Sequence, residues 1–95
     1  MSFEIHREQG PTKGRYSIPF GAEQAELTYS ITSPKLIIAD HTAVPIALRG
    51  TGAGLALLER MIADARAEAF RIVPLCPFVN AQRRKHPEWA DAFSA

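Results

Sequence analysis

Three glycines at alternate positions, Gly50, Gly52 and Gly54, follow Arg49 and lead into a run patterned like a helix. A glycine inside a helix costs roughly 1 kcal/mol relative to alanine, so this density implies a compensating role. Missing side chains let a ligand approach the backbone, and the first amides of a helix have no internal acceptor. With the positive end of the helix dipole behind them, such amides suit a pyrophosphate. The alternative is a flexible turn that caps the helix. Cys76 stands alone, where the last strand ends. It could be a nucleophile, a hydrogen-bond donor to a ligand, or an inert buried thiol. His41, at the end of a strand, and His86, in the closing loop, could each serve as a general base, because imidazole titrates near neutrality. The alternatives are packing for His41 and, for His86-Pro87, a turn that caps a helix end. Gln82-Arg83-Arg84-Lys85 could meet phosphates or an acidic partner, but cations are also favoured at any helix C-terminus. Trp89 and Phe93 read as aromatics that seal the core.

The elements that must position these residues follow from hydrophobic period. Residues 3–7, 15–20 and 25–32 alternate apolar and polar, as half-buried strands do. The third is the cleanest, with Leu27, Tyr29 and Ile31 on one face. Residues 35–42 are more continuously apolar, which suggests a strand covered on both faces. Short connections favour an antiparallel meander. From residue 55 to 69, Leu55, Leu58, Ile62, Ala65 and Ala69 step by three and four, a helical stripe. Residues 70–75 form a fifth strand, which Pro74 and Pro77 should place at an edge or end early. A short helix over 79–85 and a turn over 87–93 close the chain. The order β-β-β-β-α-β-α makes strands four and five a parallel pair. This is an α/β (α+β) fold with a mainly antiparallel five-stranded sheet.

Composition narrows the function classes. Ninety-five residues with 46% apolar and 22% charged side chains fit one folded domain rather than a disordered or coiled-coil chain. A net charge of +1 disfavours nucleic acid and anionic membrane as partners. One cysteine excludes an internal disulfide and a four-cysteine metal site, and no metal is expected. No apolar run approaches the ~20 residues of a membrane span. The first ten residues carry early charges and no apolar leader core, so a cytoplasmic location is expected. No Gly-Lys pair completes a Walker loop. The spacing G-x-G-x-G also departs from the G-x-G-x-x-G of dinucleotide-binding folds.

Arg49-Gly50-Thr51-Gly52-Ala53-Gly54 instead resembles the R/Q-x-x-G-x-G/A signature of the GNAT superfamily of N-acetyltransferases. The ending Val73-Pro74-Leu75-Cys76-Pro77-Phe78-Val79, with Lys85-His86-Pro87-Glu88-Trp89, is similar to that of a short branch of this superfamily. His41-Thr42, Val44-Pro45 and Leu48-Arg49-Gly50 are similar to that branch as well. The resemblance implies acetyl-coenzyme A as co-substrate, with its pyrophosphate on the amides of residues 50–54. It implies that the pantetheine arm lies along Thr42, Ala43 and Val44 like an added strand, with Asn80 also at the coenzyme. Transfer of the acetyl group to an amine, on a small molecule or a protein, is the implied activity, with Cys76 and His41 as candidate catalytic residues. A binding module without efficient catalysis is the alternative. The chain departs from the branch at Ala43, where a glutamate is common. It departs again at Gln82 and Arg83, where an aromatic-aliphatic pair is usual. No tyrosine acid follows Cys76.

Overall fold

In the computed structural model, which describes residues 3–94, the alternating first half becomes four consecutive antiparallel strands. These are β1 (His6–Gln9), β2 (Lys13–Phe20), β3 (Glu23–Ser33) and β4 (Leu36–Ala43). A crossover helix, α1 (Ala53–Glu68), then delivers β5 (Arg71–Pro74) parallel to β4. The spatial order is β1-β2-β3-β4-β5, so the expected mixed sheet with one parallel pair is the one observed. A second helix, α2 (Pro77–Lys85), and a 3₁₀ turn, Pro87–Ala92, complete the chain. β5 lies at an edge and ends at Pro74, in keeping with its prolines. Part of that edge is covered by the chain's own end: Phe93 bridges Ile72, and the Ser94 amide donates to the Ile72 carbonyl at 2.9 Å. Among the described residues, no helix is long and apolar enough to cross a membrane.

One face of the sheet carries α1. Tyr16, Ile18, Leu27, Tyr29, Ile37, Ala39 and Ile72 point into it and meet Leu57, Leu58, Met61 and Ile62 of the helix. The helical stripe is therefore rotated from the expected one. Leu57 and Met61 are fully buried, while Leu55 is only partly so. Ala69 has left the helix altogether, in a left-handed conformation at φ 60° that ends it. The first strand starts later than its alternation suggests, because Phe3 and Ile5 pack against the core without joining the ladder. β4 is not covered equally on both faces: Ile37 and Ala39 are buried, but Leu36 and Ile38 are half-exposed. α2 begins two residues early because Pro77 supplies the first helical position, where a missing N–H costs nothing.

Gly14 shows how tightly the core face is fitted. It pairs with Tyr29 across β2 and β3, and a Cβ there would lie 2.6 Å from Tyr29 Cε1. The ring cannot swing away, because its hydroxyl donates to Gln9 at 2.7 Å and accepts from Arg7 Nε at 3.1 Å. Gly14→Ala is expected to cost about 3 kcal/mol through overpacking. Urea denaturation checks this, and an unchanged midpoint would show that the ring relaxes freely.

Candidate functional site

The ladder between β4 and β5 ends at the pair Ala39 and Pro74. Beyond it the two strands diverge, and the Cys76 amide crosses the gap to donate to the Ala39 carbonyl at 2.9 Å. β4 changes its facing at the same place. Tyr29 is opposite Ala39 and Thr28 is opposite His41, so Asp40 is an extra residue, a β-bulge. Without the bulge, the period-two pattern would send residue 41 to the helix face and residue 42 away from it. With it, Thr42 shares the helix face with its partner Leu27, and His41 shares the opposite face with Thr28. The Asp40 carboxylate, on that outer face, accepts a hydrogen bond from the Ser30 hydroxyl at 2.6 Å.

The bulge thus separates two residues that sequence alone makes neighbours. Thr42 Oγ1 lies 3.3 Å from Cys76 Sγ, so hydroxyl and thiol form a pair across the mouth of the diverging strands. Cys76 is only 2% exposed and is the N-cap of α2. The His41 side chain is exposed on the other face. The two candidate catalytic residues flank the same strand end from opposite sides.

The glycine loop lies beside this mouth. Its amides follow from the backbone. Thr51 N donates to the Leu48 carbonyl, and Ala56 N donates to the Gly52 carbonyl as the first full turn of α1. Among the described residues, the amides of Gly50, Gly52, Ala53, Gly54 and Leu55 have no acceptor, and α1 has no side-chain cap. The three glycines serve two purposes. Gly50 and Gly52 sit at φ 80° and 86°, where a side chain is strained, and a Cβ on either would meet open space. Gly54 answers a packing need instead: a Cβ there would press on Phe78 Cζ at 3.3 Å and Val44 Cγ2 at 3.5 Å. Its absence lets the Phe78 ring lie across the first turn of α1.

A groove of about 240 Å³ results, lined by Val44, Arg49, Gly50, Gly52, Ala53, Gly54 and Phe78, among others. Val44, Arg49, Gly50, Gly52, Ala53 and Gly54 are thus brought together as the sequence pattern grouped them. Thr51 points away: its hydroxyl donates to the Leu48 carbonyl at 2.5 Å, and it borders a separate apolar hollow with Phe3, Ile18 and Phe20. Ala43 ends β4 opposite Glu26 and does not line the groove. Asn80 is held through its side chain by Arg83. Phe78 was not singled out in the sequence; its signal was a large aromatic one helical turn before Gln82, with glycine at Gly54 to receive it. A larger depression, about 630 Å³, lies over the sheet between Glu8, Arg15 and Asp40. Size does not decide between them: the groove is bordered by the unpaired amides at the start of α1.

His86 is built into the closing turn rather than into the site. Its ring stacks on Trp89 with centroids 4.0 Å apart and pairs with Glu88 at 2.9 Å. That contact, first of all, holds the Glu88 carboxyl below its usual range. Arg84 and Lys85 are exposed at the end of α2.

Comparison with known proteins agrees with this architecture. A family model described as GCN5-related N-acetyl-transferase matches residues 15–92. The NMR solution structure of a GCN5-like protein from Staphylococcus aureus is similar, with a TM-score of 0.68 and 24% sequence identity. The likeness covers 95% of this chain and 88% of that one, and at this identity it is a likeness of fold. No curated protein matches the sequence.

Proposed function

The chain belongs to the GCN5-related N-acetyltransferases, and from that premise we propose that it binds acetyl-coenzyme A in the groove and passes the acetyl group to an amine. The observation that carries this reading is the row of unpaired amides from Gly50 to Leu55 at the start of a 16-residue helix. Five donors without acceptors, where the helix dipole is positive, fit a diphosphate. Arg49 borders the same groove. Bound acetyl-coenzyme A supplies an activated acyl thioester.

The chain's own residues have distinct tasks in this scheme. Phe78 and Val44 form an apolar wall that orients the arm toward the mouth between β4 and β5. The edge of β4 past Ala39, no longer paired to β5, offers backbone groups to the arm's amides. His41, exposed beside the strand end, takes the proton from an incoming ammonium. Holding donor and acceptor in line supplies much of the acceleration.

Cys76 gives the scheme its covalent variant. The thiol sulfur forms a bond to the acetyl carbon as the coenzyme's carbon–sulfur bond breaks, and the thiol proton goes to the departing sulfur. The amine nitrogen then bonds to the acetyl carbon as its bond to the Cys76 sulfur breaks, and the proton that the nitrogen loses restores the thiol. Intact-mass spectrometry after incubation with acetyl-coenzyme A is expected to show one acetyl adduct that is absent in Cys76→Ala. Turnover is expected to fall at least about tenfold in that variant, a modest share of what a nucleophile contributes. Unchanged turnover in Cys76→Ala would leave the thiol a packing role only.

One observation favours a second reading, a coenzyme-binding module with little turnover. Cys76 is buried on the helix face and His41 lies on the other, so no nucleophile–base pair is assembled. Calorimetry with acetyl-coenzyme A tests the reading common to both: no binding defeats it. Thiol release measured against a panel of amines separates them, because the module binds and releases nothing.

A further inference from the structure

The Arg83 guanidinium is committed to one neighbour. Nε and Nη2 both donate to Oδ1 of Asn80, at 3.2 and 2.9 Å. Both residues are half-buried. A carboxamide has one accepting end and one donating end, and two guanidinium donors turn the accepting end toward Arg83. Side chains on a helix lean toward its N-terminus. Arg83 follows Asn80 by one turn, so it takes the oxygen from the C-terminal side. The Nδ2 donors then face the N-terminal turn of α2, which Cys76 caps. Asn80 stands four residues after Cys76 and its amide donates to the Cys76 carbonyl at 2.9 Å. That turn borders the mouth between β4 and β5.

We propose that Arg83 is a positioning residue that locks the Asn80 carboxamide, so that a carbonyl of the acyl-thioester arm meets Nδ2 and never Oδ1. The inference rests on the coenzyme reading above. It gives Arg83 a task different from that of a phosphate clamp. The arm of coenzyme A carries two amide carbonyls and a thioester carbonyl, and an unlocked carboxamide would present its oxygen to them half the time. Locking removes the repulsive orientation and the entropy of choosing.

The test is calorimetry with two probes. One is coenzyme A; the other is adenosine 3′,5′-bisphosphate, which carries phosphate but no arm. Coenzyme A affinity is expected to fall about twofold in Arg83→Met, because half of the unlocked carboxamides present the wrong end. Asn80→Ala is expected to lose at least as much, and the double variant no more than Asn80→Ala alone. Asn80→Asp keeps the Arg83 contact but has no donor, and is expected to bind as weakly as Asn80→Ala. Bisphosphate affinity is expected to be the same in all of them, and Arg84→Met to match the parent for both probes. Additive losses, weakened bisphosphate binding in Arg83→Met, or parent-like binding by Arg83→Met or Asn80→Asp would each overturn the proposal. If the parent binds coenzyme A but Asn80→Ala binds it equally well, the positioning role fails and the coenzyme reading survives. A parent that binds neither probe defeats both.

Discussion

Gly52→Val is expected to bind acetyl-coenzyme A about 100-fold more weakly than the parent protein, a loss near 2.7 kcal/mol. Hydrogen bonds from main-chain amides to a charged phosphate contribute about 1.5–3 kcal/mol each, so the loss of one or two accounts for the figure. A valine at residue 52 acts twice. Its branched side chain occupies the open space over the loop, where a Cβ meets nothing within 4 Å. It also resists φ 86°, so the loop that aims the free amides of Gly50, Ala53 and Gly54 relaxes toward negative φ. Either effect breaks the convergence of donors on one anion.

Backbone strain alone is separable from this. Gly21 also has positive φ, 61°, with open space around its Cβ position, and it lies in the tight turn between β2 and β3, apart from the groove. Gly21→Val is expected to cost about 1–2 kcal/mol of stability by the same strain while leaving coenzyme affinity within about twofold, inside the scatter of independent sites. Titration of the three proteins decides the matter: equal affinity in Gly52→Val and the parent moves the diphosphate away from this loop. The contrast with Gly54 is informative. There, a side chain would collide with Phe78 and Val44, so a substitution damages packing and binding together and cannot isolate either.

Much of this was legible in the residue pattern because it is local. The alternation of Leu27, Tyr29 and Ile31, the break at the glycines and the three-and-four spacing after them are short-range signals, and they gave the strand and helix order observed. What escaped was set by geometry between distant segments. Whether Leu55 or Leu57 turns inward depends on where the sheet presses on α1, and both belong to rows of apolar residues. The extra residue at Asp40 leaves no mark in the sequence, since Asp40, His41 and Thr42 suit either face; yet it decides that Thr42, and not His41, meets Cys76. Ala43 and Thr51 fall in the expected segment but turn their side chains away from the groove, because adjacency along a strand or loop does not fix direction. Arg83 and Asn80 are a helix-spaced pair, and the contact follows once α2 exists.

Asp64 is the point where α1 is tied to the first half of the sheet. Its carboxylate accepts from the Tyr16 hydroxyl at 2.8 Å, from Arg7 at 3.2 Å and from Arg60 at 3.3 Å. Arg7 also pairs with Glu68, and both arginines lie within 6 Å of the Tyr16 ring centroid, at 5.5 and 5.9 Å. Asp64→Ala would leave the Tyr16 hydroxyl fully buried with no acceptor. The expected cost is about 3 kcal/mol, or roughly 15 °C in Tm for a domain of this size. Differential scanning calorimetry reads it; a shift under about 3 °C would mean that another acceptor or water takes over. Coenzyme affinity at a temperature where the variant is folded is expected to match the parent's, because none of these residues borders the groove. The same cluster sets an alkaline limit. Burial first, and then the bond to Asp64, raise the Tyr16 pKa above its ordinary 10.0. The unfolded chain therefore releases this proton at a pH where the folded protein keeps it. Stability from this source is intact below pH 10 and falls as pH rises beyond it, by up to about 1.4 kcal/mol per pH unit. Tyr16→Phe, less stable at neutral pH by about 1 kcal/mol, is expected to lose stability more slowly above pH 10. Parallel profiles for the two proteins would assign the alkaline loss to other groups.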